Sequence, residues 1–115
     1  MTAEKLRLTV QHPYYEAIRN GRKTIEGRTA KEKYEQLQVG DEVIFINATT
    51  GDSCRKEITG VRRFPTFTSM LQCYGVTAFL TDTPTRSIED ACNVYYSFEN
   101  YKHEEEKYGV IALLL

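Results

Sequence analysis

The chain has 115 residues, of which 41% are hydrophobic and 27% are charged. This composition is typical of a globular domain and excludes intrinsic disorder, and the length predicts a single domain over residues 1–115. The 15 basic and 16 acidic side chains leave a formal net charge of −1. The overall charge therefore does not attract nucleic acid, and any such role depends on how charge is distributed locally.

The first half of the chain predicts strands separated by one helix and several turns. Residues 6–10 alternate apolar and polar side chains, which indicates a strand. Pro13 suits the first turn of a helix that ends at Gly21. The short segment 23–28 follows this glycine and predicts a second strand. Further along, the sequence predicts one or two helical turns over residues 31–37, a turn at Gly40 and Asp41, and a core strand over Glu42–Asn47.

The second half predicts a hairpin, two helices and a final strand. Residues 50–53 form a hairpin loop that leads into a long strand over 54–64, with a bulge at Gly60. Thr66 suits the N-cap of a helix ending at Gly75, residues 77–86 are a loop, and Ser87 caps a helix whose apolar positions extend to Phe98. Residues 108–115 lack polar alternation and predict a strand covered on both faces. Strands with helices inserted between them indicate the α+β class, with a curled mixed sheet or small barrel.

The cysteine pattern and the chain ends indicate an intracellular protein. Cys54, Cys73 and Cys92 lack Cys-x-x-Cys spacing, and the last two lie on apolar helical stripes, which favours buried thiols over a disulfide or metal site. We expect a reducing, cytoplasmic location. No signal peptide, membrane-spanning run, Walker loop or dinucleotide fingerprint is apparent, so we expect no membrane association, cofactor or metal. The oligomeric state stays open.

Basic residues concentrate in two parts of the chain. Residues 19–33 contain six basic side chains against Glu26 and Glu32, and a second group surrounds Glu57. The acidic excess collects near the C-terminal end, including Glu104, Glu105 and Glu106, for which we expect a solvated charge run. This segregation permits a local positive field on a nearly neutral protein. The alternative is that both basic groups are solvated faces.

The segment 21–28 carries the candidate site. On a strand, Glu26 and Arg28 share one face and can pair, while Lys23 at the strand's start can bend toward either face. A carboxylate held between two cations stays ionised and can accept hydrogen bonds from the exocyclic amine of a base. Lysine and arginine suit phosphate. The alternative is a surface Glu–Arg pair that contributes little.

Several spaced motifs together resemble the ASCH domain family. They are Gly21-x-Lys23-x-x-Glu26-x-Arg28, Val39-Gly40-Asp41-x-Val43-x-Phe45, Phe67-x-x-Met70-Leu71, Ser87-Ile88-Glu89, Tyr95-x-x-Phe98 and Lys107-Tyr108-Gly109-Val110. Their order covers nearly the whole chain and looks closest to short stand-alone archaeal and bacterial members. The resemblance implies a PUA-like mixed β-barrel with flanking helices.

The resemblance also implies a basic cleft that binds RNA, a nucleotide or a nucleoside, with a role in RNA metabolism or in regulating transcription or translation. Lys23, Glu26 and Arg28 are the expected functional set, and neighbouring Arg22 is a further candidate. Aromatic side chains that line such a cleft can stack on bases. We predict Tyr96 and Tyr101 for this role, whereas Tyr14 and Tyr95 lie at helical spacing typical of core residues.

Two alternatives to binding alone remain. Some ASCH proteins are amidohydrolases that deacylate N4-acetylcytidine with a Lys, a Thr and a Glu. Lys23 matches their lysine, but Glu26 stands at their threonine position and residues 70–76 contain no carboxylate for their glutamate. If the chain is a hydrolase, including a ribonuclease, Lys23 and Glu26 are the candidate catalytic residues. The other alternative is a protein-interaction adaptor, for which an exposed apolar patch is expected.

Overall fold

A computed structural model of the chain describes residues 5–81 and 87–115. Six strands run in the order β1 (Lys5–Val10), β2 (Ile25–Thr29), β3 (Glu42–Asn47), β4 (Ser53–Glu57), β5 (Gly60–Phe64) and β6 (Val110–Leu114). The helices are α1 (His12–Arg19), α2 (Phe67–Tyr74), α3 (Val76–Phe79), α4 (Ile88–Tyr96) and α5 (Tyr101–Tyr108), with a 3-10 turn at Glu32–Tyr34. No helix within these two segments is long and apolar enough to cross a bilayer.

The strands form two three-stranded sheets, with the orders β1-β3-β4 and β2-β6-β5. β1 is parallel to β3, and the other pairs are antiparallel. The mixed α+β class is thus as predicted, although in the described segments no strand pairing joins the two sheets into a closed barrel.

The predicted long strand over residues 54–64 is wrong, because the chain changes sheet in its middle. Ser53–Glu57 pairs with β3, and Gly60–Phe64 pairs with β6. Between them, Ile58 is fully buried and exchanges backbone hydrogen bonds with Gly40 and Asp41, each at 2.8 Å. Gly60 therefore begins a strand of the second sheet and is not a bulge.

β6 separates two hydrophobic cores. Ile111 and Leu113 pack into a core with Leu8, Phe45 and other residues of the first sheet. Val110 and Ala112 pack into a second core, formed with the helices around Phe67, Met70, Phe79 and Tyr95. Because successive side chains of a strand point to opposite faces, both faces of β6 are buried, as its unbroken apolar sequence predicts.

Local capping chemistry sets several helix ends as predicted. Thr66 Oγ1 accepts the Ser69 N–H at 3.1 Å, and Ser87 Oγ accepts the Asp90 N–H at 3.0 Å. Gly75 ends α2 with φ of 88°, a value that favours glycine. Gly21, with φ of 85°, follows α1 in the same way.

Other predictions for the helical half need correction. Val76–Phe79 is a helix and not a loop, whereas residues 82–86 of that predicted loop lie outside the described residues. α4 ends at Tyr96, before Phe98, and a separate helix α5 follows. Cys92 is buried, but Cys73 is exposed because it lies off the buried stripe of α2. All three thiols are free.

Candidate functional site

A cleft of about 160 Å³ lies between the edge strands of the two sheets. Thr9 and Val10 at the end of β1 line one side, and Glu26, Gly27 and Arg28 of β2 line the other. Helices α1, α3, α4 and α5 and the residues next to them contribute the remaining wall. The cleft therefore forms where β1 and β2, each paired on one side only, face each other.

Glu26 and Arg28 form a nearly buried ion pair inside the cleft. Arg28 Nε donates to Glu26 Oε2 at 2.7 Å, and Arg28 Nη2 donates to the Thr9 carbonyl oxygen at 3.0 Å. The Glu26 and Arg28 side chains are 10% and 17% exposed. One guanidinium thus contacts both sheets and orients the carboxylate. Glu26 and Arg28 pair because they lie on the same face of the strand, as strand alternation predicts.

Lys23 lies behind Glu26 and is 2% exposed. Its Nζ donates to the carbonyl oxygens of Ile25 and, at 2.7 Å, of Phe79, and it lies 3.3 Å from Glu26 Oε1. An ammonium group has three donors, so these three acceptors account for all of them. Lys23 lies before β2, which begins at Ile25, so its side chain is not bound by strand alternation and turns toward Glu26. It does not line the cleft.

The surroundings keep the carboxylate ionised. Burial alone raises the pKa of Glu26, but the charges and hydrogen bonds of Arg28 and Lys23 outweigh burial and bring the pKa below its usual value. Burial lowers the pKa of Lys23, and Glu26 offsets part of that effect. Burial also lowers the pKa of Arg28, yet Glu26 raises it above the usual value overall. The cleft therefore presents an acceptor-only carboxylate backed by two cations.

Gly27 brings backbone polar groups to the cleft. Two backbone hydrogen bonds flank the β2–β6 ladder: the Leu115 N–H donates to the Thr24 carbonyl oxygen, and the Ala30 N–H donates to the Gly109 carbonyl oxygen. In an antiparallel ladder this register directs the N–H and C=O of the odd-numbered residues of β2 away from β6. The Gly27 N–H and C=O therefore point to the free edge of β2, beside Glu26.

Aromatic side chains form much of the cleft wall. Five of them line it, namely Tyr14, Phe79, Tyr95, Phe98 and Tyr101. Phe67 lies behind this wall and stacks within 10° of both Tyr95 and Tyr101, with ring centroids 4.1 and 5.9 Å away. Tyr101 thus lines the cleft, which is where the sequence predicts it. Tyr14 and Tyr95 were predicted as core residues, and they do belong to the second core, but their rings also reach the cleft.

The other two predicted site residues do not line the cleft. Tyr96 Oη donates to Glu105 at 2.8 Å. The exposed Arg22 Nε donates to Asn20 Oδ1 at 3.2 Å. Burial, followed by the hydrogen bond to Glu105, raises the pKa of Tyr96. Its hydroxyl thus interacts with the protein and not with the cleft.

The acidic run of α5 is partly buried, which corrects the prediction of a solvated charge run. Glu105 is 8% exposed, and its Oε2 accepts the Phe67 N–H at 2.8 Å. Glu104 accepts from Thr29 Oγ1 at 2.8 Å and lies 3.4 Å from Lys31 Nζ. Only Glu106 of the run is exposed. Across residues 5–81 and 87–115, no group of three His, Cys, Asp or Glu side chains is placed to hold a metal ion.

Two further cations contact Tyr34 of the 3-10 turn. Lys33 Nζ lies 5.2 Å from the centroid of the Tyr34 ring, and Arg63 Nη2 donates to the Tyr34 carbonyl oxygen at 3.1 Å. Arg28 and Arg63 are both in register with Ile111, so their side chains leave the same face of the sheet. Burial, Arg28 and Lys31 lower the pKa of Lys33. Lys33 from the first basic group and Arg63 from the second thus lie near Arg28.

Comparison with known proteins places the chain in a family. The profile of the ASCH domain matches residues 8–115. The hypothetical protein PH0355, known from a crystal structure, has 34% sequence identity to the chain, with a TM-score of 0.83 and 96% of each chain covered. The solution NMR structure of protein PF0455 from Pyrococcus furiosus is 29% identical, with a TM-score of 0.74, covering 96% of this chain and 94% of that one. No curated protein matches the sequence. The chain belongs to the ASCH domain family.

Proposed function

We propose that the cleft binds a nucleobase of RNA or of a nucleotide. One observation carries the proposal: a carboxylate that Lys23 and Arg28 keep ionised faces an aromatic-walled cleft. Aromatic rings can stack on the faces of a base, at about 1–3 kcal/mol per base, while the carboxylate accepts hydrogen bonds from its edge. The general link between ASCH domains and RNA binding supports the same conclusion.

In this proposal the three charged residues have different roles. Glu26 contacts the base edge. Arg28 donates to Glu26 through Nε and to the Thr9 carbonyl oxygen through Nη2, and it also hydrogen-bonds to Tyr34 and Tyr101, so it orients the carboxylate and contributes positive charge. Lys23 is a positioning residue, because its three donors are directed to Glu26 and two carbonyl oxygens.

The two cations near Arg28, Lys33 and Arg63, suit the phosphates of a longer chain. Lys33 and Arg63 lie around Tyr34, and neither forms an ion pair with a carboxylate among residues 5–81 and 87–115. Such unpaired cations gain from contact with a polyanion, which releases its condensed counterions. In this proposal the cleft holds one base, and Lys33 and Arg63 contact the phosphate backbone of the neighbouring nucleotides.

Titration with a fluorescent single-stranded RNA tests the proposal. We expect the logarithm of the association constant to fall linearly with the logarithm of salt concentration. Arg28→Ala should weaken binding and flatten that slope. Arg55→Ala is the matched control, since Arg55 is exposed on β4, the far edge strand of the other sheet. No RNA binding by the wild type, or equal binding by Arg28→Ala at every salt concentration, rejects the proposal.

One observation keeps hydrolysis as a second candidate. Burial lowers the pKa of Lys23, as in lysine nucleophiles, although all three of its donors are engaged. Incubation with N4-acetylcytidine or with RNA, followed by chromatography, tests this activity. A product that forms with the wild type and not with Lys23→Met supports it, and the absence of product rejects it. For the adaptor hypothesis, Val39 is the one large hydrophobic residue found exposed in the described segments, which is not a patch.

A further inference from the structure

The protein uses only part of the hydrogen-bond acceptor capacity of Glu26. Oε1 has Lys23 Nζ at 3.3 Å, and Oε2 has Arg28 Nε at 2.7 Å. Each carboxylate oxygen can accept two hydrogen bonds, so each retains one acceptor position. The side chain lines the cleft and keeps 10% of its surface exposed. A ligand in the cleft therefore meets two adjacent acceptors.

The local charge favours a neutral group over a cation at this carboxylate. Lys23 and Arg28 carry two positive charges against the single negative charge of Glu26. An ammonium or guanidinium ligand would enter a site that already has an excess of positive charge, even though the aromatic walls suit cations. A neutral ring with N–H donors has no such penalty.

We propose, resting on the proposed function, that the cleft selects a base with two adjacent N–H donors, of which guanine is the common example. The N1–H and the 2-amino group of guanine lie side by side and match the two oxygens of Glu26. Adenine and cytosine place a ring nitrogen acceptor next to their amino group. Uracil has one N–H between two carbonyl groups. In these three bases a lone pair faces a carboxylate oxygen.

The backbone beside Glu26 completes the pattern. Next to its N1–H, guanine has the O6 acceptor, which needs a donor. The Gly27 N–H points to the free edge of β2, and Gly27 directly follows Glu26 in the chain, so this N–H is the candidate donor. Two acceptors followed by a donor are the complement of the Watson–Crick edge of guanine.

The test uses short single-stranded RNAs that differ at one position. Each oligonucleotide is a uridine run with guanosine, inosine, 1-methylguanosine, adenosine or cytidine in the middle, and affinity is measured by calorimetry. Inosine lacks the 2-amino group, and 1-methylguanosine lacks N1–H. A bidentate contact discriminates by roughly 5- to 150-fold. We expect guanosine to bind more tightly than the other four within that range, with inosine nearest to it.

A protein variant separates the carboxylate from general affinity. Glu26→Gln has one acceptor oxygen in place of two, so the guanosine-over-inosine ratio should fall to about one, while Arg55→Ala keeps it. The comparison of ligands on the wild type decides the matter even if Glu26→Gln does not fold. Equal affinity for all five RNAs, or preference for adenosine or cytidine, overturns this inference and leaves the proposed function intact. No binding to any of them overturns both.

Discussion

Glu105 Oε2 accepts the backbone N–H of Phe67 at 2.8 Å, which joins helix α5 to the first residue of α2. The same carboxylate accepts the hydroxyl of Tyr96. The Phe67 ring in turn stacks on Tyr95 and Tyr101, which line the cleft. A buried carboxylate that does not line the cleft thus helps to position two of the aromatic rings that do.

Replacing this carboxylate should destabilise the protein. Glu105→Ala leaves the buried Phe67 N–H and the half-buried Tyr96 hydroxyl without their acceptor. An unsatisfied buried donor costs about 1–3 kcal/mol of unfolding free energy. Urea denaturation measures the change. Glu106→Ala is the matched control, because Glu106 is exposed, and it should change stability by less than about 0.5 kcal/mol. Equal midpoints for the two variants would contradict the role of Glu105.

Replacing Lys23 should lower the stability of the fold, because its buried ammonium group contacts the protein and does not line the cleft. Lys23→Met keeps most of the side-chain volume but leaves Glu26 with one of its two cationic partners, and breaking a buried ion pair typically costs about 3–5 kcal/mol. The measurement is again the urea midpoint. Arg55→Met, at an exposed ion pair with Glu42, provides the comparison and should have little effect. A Lys23→Met protein as stable as the wild type would show that the ammonium group is not needed.

The lowered pKa of Glu26 predicts a pH dependence with a definite sign. A carboxyl group whose folded pKa lies below its unfolded value stabilises the fold above the unfolded value, near 4.5, and loses that contribution as pH falls through the folded pKa. The difference in unfolding free energy between wild type and Glu26→Gln should therefore be largest near neutral pH and shrink below about pH 4.5. Urea titrations from pH 7 to pH 2 measure it. A difference that stays constant across this range would refute the expected ionisation.

Gly27 should resist substitution more than Gly60 does. A Cβ at Gly27 would lie 2.7 Å from Met70 Cε and 2.9 Å from Tyr95 Oη, so Gly27→Ala has to displace the cleft wall. Overpacking of this kind costs about 1–3 kcal/mol, and the shifted Tyr95 should also weaken RNA binding. Gly60→Ala meets only the Leu114 side chain, at 3.2 Å, and should be milder. The same fluorescence titration and thermal melts compare the two, and a harmless Gly27→Ala would show that Tyr95 can move freely.

Local chemistry made several elements predictable from sequence. Thr66 and Ser87 cap their helices through residues three positions away, so the signal is contained in a few neighbouring residues. The Glu26–Arg28 pair follows from strand alternation over two positions. The apolar run of β6 also indicates that both its faces are buried.

Elements that depend on distant partners were not predictable. The change of sheet near Ile58 requires Gly40 and Asp41, some seventeen or more residues earlier, to take its backbone hydrogen bonds. Helix α5 has no apolar stripe, since the residue it buries is Glu105. Tyr95 is both a core residue and a cleft residue, and helical periodicity reports only the first property.

The two sheets are connected differently at their two sides. On one side the covalent chain passes directly from β4 to β5 through Ile58 and Thr59. On the other side, β1 and β2 are linked by the Arg28 guanidinium, which contacts Glu26 and the Thr9 carbonyl oxygen. A ligand that contacts this guanidinium therefore weakens or strengthens the hydrogen bonds by which Arg28 links the two sheets. Ligand binding in the cleft and the distance between β1 and β2 consequently depend on the same side chain, Arg28.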